Sequence, residues 1–147
     1  MIQQLHHVCI LTADVEALGG RLHDALGLPV PPPARVVSGP TLELRTAMLP
    51  IGNGTYLQML EPHSGPGVAE LAAAGEGALF EVAFKVDSAE RAAKEAANRG
   101  ITPTSLNGLP LANGYAVAGS GSRYLYLPST STGGVRVELI EPASPAG

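Results

Sequence analysis

Four polar residues stand in the middle of otherwise apolar, strand-like segments: His7, Gln58, Glu81 and Glu138. An imidazole, an amide oxygen and two carboxylates make a nitrogen and oxygen ligand set, which suits Mn, Co, Ni, Mg or Zn better than a soft thiophilic metal. The set differs from the two-His-one-carboxylate triad of ferrous oxygenases. If the four side chains converge, the sequence predicts a site for one divalent metal ion.

The chemistry that such a site would support is proton transfer next to a carbonyl group. Open positions on the metal would bind substrate oxygens and stabilise the developing charge of an enolate. A carboxylate would remove the proton alpha to the carbonyl, and Glu138 and Glu81 are the candidate bases. Return of the proton to another face or another carbon gives an epimerase or an isomerase.

In each of the four segments, apolar residues alternate with the polar residue and its neighbours two positions away. Side chains alternate between the two faces of a strand, so His7 and Cys9 share one face while Val8 and Ile10 take the other. The other three segments alternate in the same way. We expect the apolar faces to pack against helices and the polar faces to line a partly wet cavity, because a polar residue is costly to bury unpaired.

The chain repeats itself, and the repeat pairs the four residues. A strand-like segment followed by a helix occurs around His7 and again around Glu81. Each half ends on a polar residue in an apolar strand, Gln58 or Glu138, followed by Glu-Pro. The sequence therefore predicts an α+β fold of two tandem βαβββ modules, at about 1–64 and 77–142, in a single domain 1–142 followed by a flexible tail 143–147.

Local patterns predict the elements of both modules. Asp14 is expected to cap a helix that ends at Leu26, with Gly27 as its stop, and a capping box at Asp87-Ser88-Ala89-Glu90 to start another, ending near Asn98-Arg99. Glu61-Pro62 is expected to end its strand. A short helix is predicted over Val68–Ala74, and strands over 5–12, 41–49, 55–60, 79–86, 101–104, 115–118, 123–127 and 135–140. The segments 31–40, 63–77, which includes this short helix, and 106–114 are expected to be the connections that shape the pocket.

Composition narrows the class of protein. The 147 residues are 45% hydrophobic and 15% charged, which is typical of a folded chain. The net charge is −4 and no basic run occurs, so neither nucleic acid nor a membrane surface is an expected partner. No secretory signal or membrane-length apolar run is visible, and Cys9 is the single cysteine, so a cytoplasmic protein is expected.

Several longer motifs carry a family resemblance that covers nearly the whole chain. They are Leu5-His6-His7-Val8-Cys9-Ile10, Gly27-Leu28, Ala47 to Asn53, Gln58-Met59-Leu60-Glu61-Pro62 and Leu127 to Leu139. The chain resembles the vicinal oxygen chelate superfamily, in its glyoxalase I and methylmalonyl-CoA epimerase group. The resemblance implies a U-shaped mixed-sheet cleft around a divalent metal, held at His7, Gln58, Glu81 and Glu138. It also implies a small carbonyl or thioester substrate, isomerase, epimerase or lyase activity, and a homodimer.

Two positions depart from that family. The third ligand position is usually His and is Glu81 here. The epimerases carry a carboxylate base on the third strand of the first half, where the nearest residue is Thr46, with Glu43 close in sequence. One alternative is a metal-free small-molecule or drug-binding protein of the same fold, with Glu81 and Lys85 as ordinary polar lining. The other is a dioxygenase, against which the missing second His argues.

Overall fold

The computed structural model describes residues 1–144 and contains eight strands and three α-helices in that range. Strand, helix and three strands follow one another twice, which confirms the predicted α+β fold of two βαβββ modules. The first module comprises β1 (Ile2–Leu11), α1 (Val15–Leu26), β2 (Arg35–Gly39), β3 (Leu42–Gly52) and β4 (Thr55–Ser64). After α2 (Val68–Ala74) come β5 (Leu79–Val86), α3 (Ala89–Asn98), β6 (Ala116–Val117), β7 (Arg123–Leu127) and β8 (Val137–Glu141).

Contacts divide the chain into two compact units, of which the N-terminal unit spans residues 7–80. Its strands follow the order β2-β3-β4-β1, with β1 parallel to β4 and the other pairs antiparallel. Helix α1 packs through Val15 on Ala47, Leu49 and Met59. Met59 therefore faces the helix as predicted, and alternation turns Gln58 to the opposite face.

The C-terminal unit joins residues 1–6 to residues 81 onward. Its strands follow the order β1-β5-β8-β7-β6, with β5 parallel to β8 and β7 antiparallel to β6 and β8. Helix α3 is rich in alanine and packs on one face of the sheet. There Ala92 and Ala93 contact Val86, Leu125 and Leu139. The face that carries Glu81 and Glu138 is the opposite one, by alternation along β5 and β8.

The repeated Glu-Pro motif ties the last strand of each module to its helix. Glu61 Oε1 accepts a hydrogen bond from Val15 N–H at 3.1 Å, and Glu141 Oε2 accepts one from Ala89 N–H at 2.8 Å. Val15 and Ala89 are the first residues of α1 and α3, whose N–H groups have no partner inside the helix. A carboxylate also interacts favourably with the positive end of the helix dipole. The motif therefore has a structural role in both modules.

The helix ends agree with the predictions except at the start of α3. Asp14 caps α1 through Ala17 N–H at 3.0 Å, and Gly27 ends it at a φ of 68°. The predicted capping box of Asp87 and Glu90 is wrong, because Ser88 is the capping residue. Helix α3 thus begins one residue later, and the two acidic residues form ion pairs on its surface, Asp87 with Arg91 and Glu90 with Lys94.

Three strand predictions are corrected. Residues 101–104 form no strand: Thr104 makes only isolated bridges, to Pro110 and Tyr126, and Pro103 has no N–H for a ladder. Strand β2 lies in the predicted loop 31–40, because a fully exposed edge strand shows no apolar alternation. Strand β4 passes through Glu61-Pro62 to Ser64, and Pro62 pairs with Leu44 beside a β-bulge, a position that tolerates proline.

A close contact accounts for a glycine in the middle of α1. A Cβ added at Gly19 would lie 2.5 Å from Pro31 Cγ and 3.5 Å from Met59 Cε. Gly19 therefore lets the helix approach the connector that follows it.

Within residues 1–144, no helix combines the length and apolar character needed to cross a membrane. The predicted tail begins at Ala143, whose N–H donates to Ser122 Oγ at 3.2 Å, and residues 145–147 lie outside the described residues.

Candidate functional site

The two predicted ligands of the N-terminal unit lie on neighbouring parallel strands. His7 of β1 is 3% exposed, and Gln58 of β4 is half-buried. The register pairs His7 with Tyr56 and Cys9 with Gln58. Gln58 is thus opposite the residue two positions after His7, which puts both ligand candidates on the same face of the sheet.

Hydrogen bonds from β3 and β4 orient the Gln58 amide. Gln58 Nε2 donates to Thr46 Oγ1 at 2.9 Å, and Thr46 Oγ1 donates to the Met59 carbonyl at 2.9 Å. Gln58 Oε1 is buried and has no hydrogen-bond partner among the described residues. Since a buried amide oxygen normally has a partner, this atom is available to a ligand.

Position 46 holds the hydroxyl of Thr46, which is 2% exposed, where the resemblance implies a carboxylate. Glu43 does not replace it, because that residue is exposed and lies beyond the β-bulge between Glu43 and Leu44. The hydroxyl is a weak base, so the third strand of the first module offers hydrogen bonding and no carboxylate at this position.

The C-terminal unit brings the other two predicted ligands together. Glu81 is 2% exposed and Glu138 is 7% exposed, and a carboxylate oxygen of each lies within 4.8 Å of the other. In the parallel pair β5 and β8, Ala83 is opposite Glu138. Both carboxylates are buried, while Gln58 and Lys85 on the same predicted polar face are half-buried. Burial of two like charges at this distance favours a cation or a shared proton between them.

The parallel strand pairs β1–β4 and β5–β8 have the same register. In each, a parallel strand pair places the second ligand candidate opposite the residue two positions after the first, at Cys9 and Gln58 and at Ala83 and Glu138. The sequence repeat that pairs His7 with Glu81 and Gln58 with Glu138 is therefore also a repeat of local geometry.

Two tyrosines beside Glu138 were missed in the sequence. Tyr126 is opposite Glu138 on β7, and its ring meets that of Tyr124 edge to face, with centroids 6.1 Å apart. Partial burial raises the pKa of Tyr124, and the negative charge of Glu138 adds to the shift. The alternation of these tyrosines with Leu125 and Leu127 would have revealed that they share one face.

A second group of acidic residues, in the N-terminal unit, has a structural explanation. Asp14, Glu16 and Glu61 offer oxygens within 4.8 Å of one another, but Arg45 forms ion pairs with both Glu16 and Glu61. Burial raises the pKa of Glu61, yet hydrogen bonds from His63, Val15 N–H and Arg45 outweigh it and hold that pKa below its ordinary value. This group is an ion network at the start of α1.

The C-terminal unit also contains an open groove of about 660 Å³ along α3. It is lined by α3 and the segment that follows, including Lys94, Ile101, Leu111 and Tyr115. Its lining contains neither Glu81 nor Glu138, and α3 covers the opposite face of the sheet from these two residues. The groove is therefore separate from the carboxylate pair.

Comparison with known families identifies the class of protein. The profile described as the glyoxalase/bleomycin resistance protein/dioxygenase superfamily matches residues 6–121. The chain belongs to this superfamily, as the sequence motifs predicted. Comparison with curated protein sequences gives no significant match.

Several solved structures have a similar fold. A methylmalonyl-CoA epimerase in complex with methylmalonyl-CoA and NH4+ has a TM-score of 0.78 at 23% identity, over 98% of this chain and 97% of that one. A Streptomyces coelicolor methylmalonyl-CoA epimerase variant in complex with 2-nitronate-propionyl-CoA has a TM-score of 0.78 at 22% identity, over 100% and 99%. The Mycobacterium tuberculosis epimerase has a TM-score of 0.76 at 23% identity, over 97% and 90%. At these identities the likeness shows the fold.

Proposed function

We propose that the protein is a divalent-metal-dependent epimerase or isomerase that moves the proton alpha to the carbonyl of a small thioester. The observation that carries the proposal is the buried pair of Glu81 and Glu138, with oxygens within 4.8 Å. Positive charge or a shared proton stabilises two buried carboxylates this close, and a dication would contribute such charge.

The donor atoms fit such an ion. We propose His7, Gln58, Glu81 and Glu138 as its ligands. Support comes from the common register of the two strand pairs and from the buried Gln58 Oε1, which has no partner within residues 1–144. Imidazole, amide and carboxylate donors suit Mn, Co, Ni, Mg or Zn. When bound, the metal would act as a Lewis acid that polarises a carbonyl oxygen of the substrate.

The protein's own groups would move the proton. Glu138 and Glu81 are the carboxylates of the polar face, and we propose that one of them takes the proton alpha to the carbonyl. Tyr124 and Tyr126 of β7 lie beside Glu138, and their rings would restrict the access of water to that carboxylate. Thr46 supplies no carboxylate, so the base differs in position from the one that the epimerase resemblance implies.

The proposed substrate class is a coenzyme A thioester with an acidic alpha proton. Three observations support it: the family, the fold, and the relatives solved in complex with methylmalonyl-CoA or 2-nitronate-propionyl-CoA. The predicted homodimer and cytoplasmic location remain predictions.

Hydrogen exchange tests the proposal without knowledge of the product. Metal-loaded protein is incubated with methylmalonyl-CoA and related acyl-CoA thioesters in D2O, and deuterium at the alpha carbon is followed by mass spectrometry. We expect exchange with wild type and with Glu90→Gln, a control on the exposed surface of α3. We expect loss of exchange in Glu138→Gln or Glu81→Gln.

Two results would contradict the proposal. Absence of exchange with every thioester at saturating metal would exclude this proton transfer. Tight binding of a small molecule by metal-free protein, unchanged in the double variant His7→Ala and Glu138→Ala, would instead identify a binding protein of the same fold.

A further inference from the structure

We propose that Thr46 is a positioning residue that holds the Gln58 amide with Oε1 turned toward the metal. The inference rests on the proposed function, because it assigns Gln58 Oε1 as a ligand. It adds a role for the residue that stands where the resemblance implies a base.

The direction of two hydrogen bonds fixes the amide. A threonine hydroxyl has one proton to donate, and Thr46 donates it to the Met59 carbonyl at 2.9 Å, an atom that can only accept. Toward Gln58 the hydroxyl can therefore only accept. The group that faces Thr46 at 2.9 Å must be the Nε2 amino group, which turns Oε1 away.

Burial makes this orientation strongly preferred. Thr46 is 2% exposed, so water does not compete for its hydroxyl. A flipped amide would place Oε1 against the hydroxyl lone pairs and break the bond between Gln58 and Thr46. It would also present two N–H donors where the metal needs an oxygen. Both changes are unfavourable in a buried site.

The same bonds give Thr46 a structural role. Its proton is donated to the Met59 carbonyl, and one of its two lone pairs accepts from Gln58. Thr46 therefore acts through Gln58 and leaves proton transfer to the glutamates of the C-terminal unit.

Metal affinity tests the inference. Metal-free protein is titrated with Mn²⁺ by calorimetry for wild type, Thr46→Val, Thr46→Ser and the control Thr12→Val. Loss of a group that orients a ligand typically weakens metal binding about 10- to 100-fold, and we expect this for Thr46→Val. Thr46→Ser keeps the hydroxyl and should bind like wild type. Thr12→Val also loses a buried hydroxyl, one bonded to Glu76 at 2.8 Å, and should lose stability without losing Mn²⁺ affinity.

A second measurement needs neither metal nor a folded Thr46→Val. The side-chain NH2 resonances of Gln58 in metal-free wild type, assigned with Gln58→Ala, should be shifted downfield and should exchange slowly with water. Free-amide shifts and rapid exchange would overturn the inference.

The titration separates failure of the inference from failure of the proposed function. If wild type binds Mn²⁺ and Thr46→Val binds it equally well, the inference alone is wrong. If wild type takes up none of Mn²⁺, Co²⁺, Ni²⁺, Mg²⁺ or Zn²⁺, the proposed function is wrong and the inference falls with it.

Discussion

Two adjacent glycines in α1 should respond to alanine in opposite ways. Both lie inside the helix, where replacement of glycine by alanine gains about 0.5–1 kcal/mol in helix propensity. An added Cβ at Gly20 meets nothing within 4 Å. The Cβ at Gly19 would lie 2.5 Å from Cγ of the rigid ring of Pro31, and overpacking of this kind costs about 1–3 kcal/mol.

The propensity gain cancels when the two variants are compared with each other. Gly19→Ala should therefore be less stable than Gly20→Ala by about 1–3 kcal/mol, the overpacking cost alone. Urea unfolding measures the difference directly, and calorimetry should show a higher Tm for Gly20→Ala than for wild type by about 1–4 °C. Adding Pro31→Ala to Gly19→Ala should recover part of the loss, in a double-mutant cycle.

Equal stability of the two variants would refute this reasoning. It would mean that α1 does not approach the connector at Pro31 as described. The packing of Met59, which also lies within 3.5 Å of the added Cβ at Gly19, would then need revision.

Three further predictions follow from the site and the helix ends. Glu141→Ala should lower the free energy of unfolding by about 1–3 kcal/mol, measured in urea, because the buried Ala89 N–H loses its acceptor; an unchanged value would contradict the capping role. The pKa of Glu61 is lowered in the folded state, so its contribution to stability is complete above the ordinary pKa and is lost as the pH falls through the folded one. The stability difference between wild type and Glu61→Gln should thus shrink on acidification. A difference independent of pH would contradict a lowered pKa of Glu61 in the folded state. Gln58→Ala should bind Mn²⁺ at least as weakly as Thr46→Val. Tighter binding by Gln58→Ala would contradict the claim that Thr46 acts on the metal through Gln58.

Local sequence patterns predicted much of the fold. The short helix Val68–Ala74 and the strands Leu79–Val86 and Arg123–Leu127 have the predicted bounds, because apolar periodicity and flanking turn residues mark them. Strand β2 gave no such pattern, since all five of its residues are exposed. Its pairing with β3 is a tertiary feature that no local window contains.

The sequence suggests residue types for the candidate site but does not reveal their environment. Alternation and the repeat selected His7, Gln58, Glu81 and Glu138, and the common strand register agrees with that choice. Burial of the glutamates depends on neighbouring strands, which no local window of the sequence contains. The bond between Gln58 and Thr46 depends on the register of β3 with β4, which shifts between Pro50 and Gly52 near the turn and which the sequence does not reveal.

Metal binding by protein purified without chelator tests the central claim most directly. Elemental analysis followed by titration with Mn²⁺, Co²⁺, Ni²⁺, Mg²⁺ and Zn²⁺ should show one ion bound per chain. Binding should be lost in the double variant Glu81→Gln and Glu138→Gln and retained in Glu90→Gln. A wild-type protein that carries no metal and takes up none of these ions would contradict the claim that the buried glutamate pair holds a metal.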